Sequence, residues 1–184
     1  MLLRVIVACE IGFWVILLAG LVARYLLRLP RLGLILLACV PLVDLVLLIA
    51  TIISLRGGET ASVTHGLAAV YIGFSVAFGH GMIRWADERF AHRFADGPPP
   101  SKPPEYGRAR TAYEWREFRK AAIAWAIGCT LLYAGVLFVG DPTRTGALME
   151  WIGQLTVVLA IWLIWPISYT IWPKKPKEGE VAKG

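Results

Sequence analysis

The stretch "SVTHGLAAVYIGFSVAFGHGMIRW", residues 62 to 85, decides the fold class of this chain. Residues 66 to 79 carry no charged side chain, and the apolar character runs around the whole helical wheel. Such a segment is typical of a helix in lipid and excludes a core strand or a helix on the surface of a soluble protein. Two histidines, His65 and His80, lie within it, and their role depends on what surrounds the helix.

The composition of the whole chain indicates the same class. Hydrophobic residues make up 57% of the 184 residues and the mean hydropathy is +0.61, while charged residues make up only 17%. Soluble domains carry about 25% charged residues. The net charge of +6 would also fit a nucleic-acid-binding protein, but membrane topology explains the basic residues better. The sequence therefore predicts an integral membrane protein with no nucleic-acid partner.

Five apolar segments follow one another along the chain, each close to the roughly 20 residues that cross a bilayer core. Their continuous apolar runs exclude the alternating strands of a membrane barrel, so the spans must be helical. We read the first segment as a retained helix rather than a cleaved signal peptide, because its removal would put the basic clusters outside. The prediction is an all-α membrane protein, a single membrane domain over residues 1–184 with five transmembrane helices at about 2–27, 32–55, 62–84, 121–139 and 147–172.

The basic residues predict the orientation, since short cytoplasmic connections carry lysine and arginine in excess. Of the 19 basic residues, 16 lie in the first connection, the third connection and the tail, which are on one side of a five-helix chain. This places the N-terminus outside and the C-terminus in the cytoplasm. We expect a multi-pass protein of the plasma membrane, which is the inner membrane in a Gram-negative source.

Residues 85–120 form the one long connection, predicted to be cytoplasmic, amphipathic and proline-rich. The segment "IRWADERFAHRF" keeps helical spacing, which predicts that the third helix continues out of its span and lies along the inner membrane surface. The five prolines of "ADGPPPSKPP" predict a stiff extended linker. We expect the basic side chains here and in the tail, residues 173–184, to contact anionic lipid. A docking surface for a membrane or cytoplasmic partner protein is the alternative.

Asp44 is the strongest candidate for a functional residue, because eleven uncharged residues follow it and twelve precede it. A charge at that depth costs at least about 2.5 kcal/mol. A carboxyl group there takes up a proton unless a cation is bound, since desolvation disfavours its charged form. The alternative is a neutral carboxyl group that joins helices by hydrogen bonds. The helical rise puts four further polar side chains in the outer half of the membrane: Glu10, His65, Glu150 and Gln154.

Small residues recur at four-residue spacing on the third helix, at Ala69, Gly73, Ala77 and Gly81. This pattern is typical of a helix that packs closely against another in lipid. It predicts that His65 faces protein and that His80 shares the packed face near the opposite membrane surface. One metal ion cannot take both rings, since they lie about 22 Å apart along the helix. His80 is expected to be hydrogen-bonded inside the bundle or to act as an inner proton acceptor.

The two histidines and their neighbouring glycines resemble the di-haem core of cytochromes b, where paired histidines on each of two helices hold two haems. This chain has one such helix, so the resemblance implies haem binding by a homodimer. The principal hypothesis is a membrane protein that binds or moves a proton, a metal cation or a small polar solute at a buried, outward-facing site. A non-transporting accessory or assembly protein is the main alternative. A membrane enzyme ranks behind both, because no nucleophile and base can be paired, and the sequence identifies no cofactor or metal.

Overall fold

The computed structural model of the protein describes residues 2–58, 60–61, 63–94 and 97–173, without the side chains of residues 2–7, 9–10, 63–65 and 94. Within these ranges the chain is all helical, with no strand. A π-helical turn, Val22–Leu26, extends the first helix. The prediction of an all-α protein with five helices is confirmed, and the helices are α1 (Leu2–Leu21), α2 (Pro30–Arg56), α3 (Val63–Phe94), α4 (Gly107–Val139) and α5 (Pro142–Ile171).

Four of the five helices, α2 to α5, are long and apolar enough to cross a membrane. In α1, the apolar stretch with described side chains is the shorter Ile11–Leu26. Proline residues inside α2 and α5, Pro41 and Pro166, do not end these helices. Such prolines are tolerated in membrane helices because neighbouring groups compensate for the lost backbone hydrogen bond.

Helices α3 and α4 are much longer than the predicted spans. At 1.5 Å per residue they measure about 48 and 50 Å, whereas a bilayer core is about 30 Å thick. Residues 85–94 continue α3 without a break, as the helical spacing of this segment predicts. The charged turns of both helices lie at the end where the proline-rich loop joins them.

The turn between α4 and α5 shows why these helices end and begin where they do. Gly140 has φ 69°, a left-handed conformation that glycine adopts without strain and that ends α4. Asp141 then caps α5, because its Oδ1 accepts a hydrogen bond from the Thr143 backbone N–H at 2.9 Å. Hydrogen bonds from the Thr143 hydroxyl and N–H hold the pKa of the Asp141 carboxyl below its usual value.

A close backbone contact joins α3 and α4. A Cβ atom added at Gly73 would lie 2.4 Å from the carbonyl oxygen of Ala124, so only glycine fits there. Ala69 on the same face of α3 is fully buried. A core of buried leucines lies beside this contact toward the Arg56 end of α2, with Leu55, Leu132 and Leu148 from three different helices. Small residues thus let two backbones meet, and large apolar side chains fill the space around them.

Candidate functional site

Asp44 lies at the centre of α2 and is buried. Along the helix axis it is about 21 Å from Pro30 and about 18 Å from Arg56. Only 2% of its surface is exposed, and Val40 and Leu48, one turn away on either side, are buried as well. The structure therefore places this carboxyl group inside the bundle and far from both helix ends, as the sequence predicts.

Two further polar residues of α2, Thr51 and Ser54, are each only 1% exposed. Thr51 lies two turns beyond Asp44 on the same face, about 10 Å along the axis toward the end at Arg56. We call Asp44, Thr51 and Ser54 the polar file. The sequence interpretation missed both hydroxyl residues, although the seven-residue spacing between Asp44 and Thr51 was a signal that they share one face.

Two oxygens of the polar file have no hydrogen-bond partner in the described part of the structure. They are Asp44 Oδ2 and Thr51 Oγ1, and both are buried. A buried polar group without a partner costs about 1 to 3 kcal/mol, more when it is charged. Among the described residues, these two oxygens are therefore buried acceptors whose hydrogen-bonding capacity is unused.

The backbone of Glu10 lies near the level of Asp44, although its side chain lies outside the described residues. Helix α1 packs antiparallel against α2, since a Cβ atom at Gly20 would lie 3.0 Å from Leu37 Cγ and one at Gly33 would lie 2.5 Å from Arg24 Cβ. If this antiparallel pairing continues toward the N-terminus of α1, the backbone of Glu10 lies about one helical turn from the level of Asp44. The side chain of His65, another predicted partner, also lies outside the described residues.

Glu150, Gln154 and His80 are exposed on the exterior of the bundle, and the structure does not bring them to Asp44. The expected position of His80 inside the bundle is corrected, because its side chain is exposed among the described residues. Cβ atoms added at Gly79 and Gly81, on either side of His80, would have nothing within 4 Å. Haem binding by a homodimer, which the resemblance to cytochromes b implies, stays a prediction.

Two of the four small residues in the row on α3 pack against another helix. Ala69 and Gly73 are buried against α4, whereas Ala77 is only partly buried and Gly81 is exposed. The structure also gives no sign of a metal centre in the part it describes, where no three histidine, cysteine, aspartate or glutamate residues lie together.

A second polar cluster joins the end of α1 to α3 and was missed in the sequence. Arg24 Nε donates to Asp87 Oδ1 at 2.7 Å, Arg24 Nη2 donates to Asp87 Oδ2, and the Tyr25 hydroxyl donates to Oδ1 at 3.1 Å. Arg24 Nη1 also donates to the carbonyl oxygen of Pro30 at 3.0 Å. The π-helical turn contains both Arg24 and Tyr25, and such turns are frequent at functional sites.

Comparison with known proteins identifies one relative over nearly the whole chain. A protein of Bacillus subtilis (strain 168) described as "Uncharacterized membrane protein YmcC" is 41% identical over 173 residues, which cover 94% of this chain and 92% of the relative. No family model matches the chain, and no solved structure matches it.

Proposed function

From the premise that this chain belongs to the family of the Bacillus membrane protein YmcC, we propose that it binds or moves a proton or small cation at Asp44. The chain is a multi-pass membrane protein, as its apolar helices and its relative show. One observation carries the proposal: Asp44 is a buried carboxyl group whose Oδ2 has no hydrogen-bond partner among the described residues. Ionisable residues inside membrane spans are rare, and they mark proton and ion pathways by default.

The polar file supports entry of the ion from the end of α2 at Arg56. Thr51 and Ser54 lie between Asp44 and that end, and both are buried. Hydroxyl groups can accept and donate hydrogen bonds, so they suit the passage of a proton or the partial coordination of a cation. Glu10 is the candidate for a second carboxyl group, because the register of α1 brings its backbone near this level.

The substitution Asp44→Asn tests the proposal. The amide can replace a neutral carboxyl group in hydrogen bonding, so the variant should fold. It cannot exchange a proton, and without the negative charge it binds a cation much more weakly. At a hundredfold excess of cation over its Kd, bound cation stabilises the native wild type by about 2.7 kcal/mol. We expect thermal unfolding in detergent to depend on pH or on Na⁺ in the wild type and to lose that dependence in Asp44→Asn.

Glu150→Gln is the matched control, because it removes a carboxyl group that is exposed on the exterior of α5. It should leave the dependence on pH or Na⁺ unchanged. If Asp44→Asn retains the whole wild-type dependence, the ion-binding proposal is wrong. That result would favour the accessory or assembly protein, in which Asp44 holds helices in register through hydrogen bonds.

We propose that the N-terminus lies outside and that the proline-rich loop and the C-terminus lie in the cytoplasm of a plasma-membrane protein. The support is the concentration of 16 of the 19 basic residues on one side of the helices. The basic side chains on that side are then available to anionic lipid, to a second copy or to a membrane partner. This orientation makes the Arg56 end of the polar file the outer end.

Cysteine labelling of intact cells tests the orientation. In a background without Cys9, Cys39 and Cys129, an impermeant thiol reagent should label Pro142→Cys and should spare Pro100→Cys and Glu180→Cys. All three positions should be labelled once the cells are permeabilised, which controls for the reactivity of each thiol. The reverse pattern in intact cells would invert the orientation and would make the polar file open toward the cytoplasm.

A further inference from the structure

A groove of about 1190 Å³ lies between the end of α3, the proline-rich loop and the first turns of α4. It is separate from the polar file. The residues that line it include no carboxylate within the described part of the chain. They include four cationic side chains that come from all three walls: Arg89, Arg93, Lys102 and Arg116.

The groove has fixed walls because the loop is docked onto α3. Glu88 Oε2 accepts hydrogen bonds from the Ser101 backbone N–H at 3.1 Å and from the Ser101 hydroxyl at 2.7 Å. Arg84 Nε donates to the other carboxylate oxygen of Glu88 at 3.1 Å. Four prolines of the loop line the groove and restrict its backbone. Residues 97–105 form no helix or strand, and the hydrogen bonds of Ser101 hold the loop against α3, so it is not a free linker.

The cationic groups of the groove are largely free to bind an anion. Arg93 and Lys102 are exposed, and the described residues place no carboxylate within 4 Å of them or of Arg89. The Arg89 guanidinium stacks over the Trp85 ring at 4.2 Å, which orients it without neutralising it. Arg116 has Glu117 Oε1 at 3.9 Å, but that oxygen is 2.7 Å from Lys120.

The groove lies at the level where two other helices end. The Arg24–Asp87 ion pair holds the C-terminal turns of α3 beside the end of α1. Trp115 Nε1 donates to Thr170 Oγ1 at 3.0 Å, which sets the start of α4 beside the end of α5. Apolar spans end at the headgroup layer of a bilayer, where tryptophan and tyrosine rings are also enriched. A phospholipid headgroup is therefore the nearest phosphate source.

We propose that this groove binds a phosphate group, supplied by the headgroup of an anionic phospholipid or by a soluble phosphorylated molecule. Arginine side chains suit this ligand, because the planar guanidinium donates two parallel hydrogen bonds to phosphate oxygens. The site differs from general attraction between basic residues and an anionic surface, since it is concave and its loop wall is hydrogen-bonded to α3. It goes beyond the proposed function of Asp44 and does not depend on it.

The test compares two double variants of the full-length protein in neutral detergent. Arg93→Gln with Lys102→Gln removes two charges inside the groove, and Arg108→Gln with Arg119→Gln removes two exposed charges of α4 outside it. Native mass spectrometry measures the Kd for phosphatidylglycerol and for phosphatidylcholine, and thermal unfolding measures stabilisation by inorganic pyrophosphate. We expect the wild type and the α4 variant to prefer phosphatidylglycerol, with a Kd at least about tenfold weaker in the groove variant.

The two probes distinguish the sources of the phosphate. Selective binding of phosphatidylglycerol without a pyrophosphate effect identifies a lipid headgroup, and the opposite result identifies a soluble ligand; either supports the site if only the groove variant loses the effect. An equal loss in both double variants would show general attraction and would overturn the proposal. So would a wild type that responds to neither phosphatidylglycerol nor pyrophosphate.

Discussion

The substitution Gly73→Leu is expected to force α3 and α4 apart and to lower the stability of the whole bundle. The new Cβ atom would lie 2.4 Å from the Ala124 carbonyl oxygen and 3.3 Å from the Gly128 nitrogen. Both are backbone atoms, so neither can rotate away as the end of a side chain could. Overpacking in a core costs about 1 to 3 kcal/mol, and contact with a neighbouring backbone puts this variant at or above the upper value. Thermal unfolding in detergent measures the loss.

Gly81→Leu is the matched control, since it belongs to the same row of small residues and its added Cβ atom would meet nothing within 4 Å. We expect its unfolding temperature to stay close to that of the wild type. Gly73→Ala should fall between the two, because it adds the clashing Cβ atom without the rest of the side chain. Equal stability of the two leucine variants would show that α3 does not pack against α4 at Gly73.

The difference between Gly73 and Gly81 also shows what spacing alone can predict. The continuous apolar run from residue 66 to 79 was enough to predict a membrane helix, and small residues at four-residue spacing were enough to predict a close contact. A row at this spacing rotates by about 40° around the helix at each step, and two crossed helices separate away from their contact point. The row therefore leaves the contact before it reaches Gly81, which the sequence does not reveal.

The sequence predicts where each candidate residue lies along its helix, but it does not predict whether the side chain faces the bundle. Asp44 lies at the centre of α2, as counting residues from the ends of the apolar segment predicts. Glu150 and Gln154 have suitable depths on α5, but they are on its exposed side. The side of α5 that faces the bundle depends on packing with α4, and no local pattern in the sequence specifies it. Thr51, by contrast, lies seven residues after Asp44 on the same helix, and this spacing places both on one face.

The Arg24–Asp87 pair was beyond sequence reasoning for a related reason. Arg24 was counted only as one of the basic residues that set orientation, and Asp87 is 63 residues away in a segment with charges of both signs. Three features place them together in the structure: the π-helical turn, the close approach of Gly33 to Arg24, and the continuation of α3 past its apolar part. No sequence pattern predicts the first two of these features. The helical spacing of residues 83–94 predicts the third, but it does not specify that Asp87 faces Arg24.

Breaking this pair should have the second large effect on stability. Only 12% of the Arg24 side chain is exposed, so Asp87→Asn leaves a largely buried guanidinium without its counter-charge. Removing one partner of a fully buried pair costs about 3 to 5 kcal/mol. Because 38% of the Asp87 side chain is exposed and solvent screens it, we expect a smaller loss of about 2 kcal/mol. The free energy of unfolding in detergent measures it.

A double-mutant cycle separates the ion pair from the other effects of each substitution. Arg24→Gln and Asp87→Asn together should cost less than the sum of the two single variants, because each single variant leaves one charge unpaired. Arg84→Gln is the control: it removes an exposed pair with Glu88 one turn along the same helix, and solvent screening should make its loss much smaller. Additive losses, or an Arg24→Gln loss as small as that of Arg84→Gln, would show that the pair does not join α1 to α3.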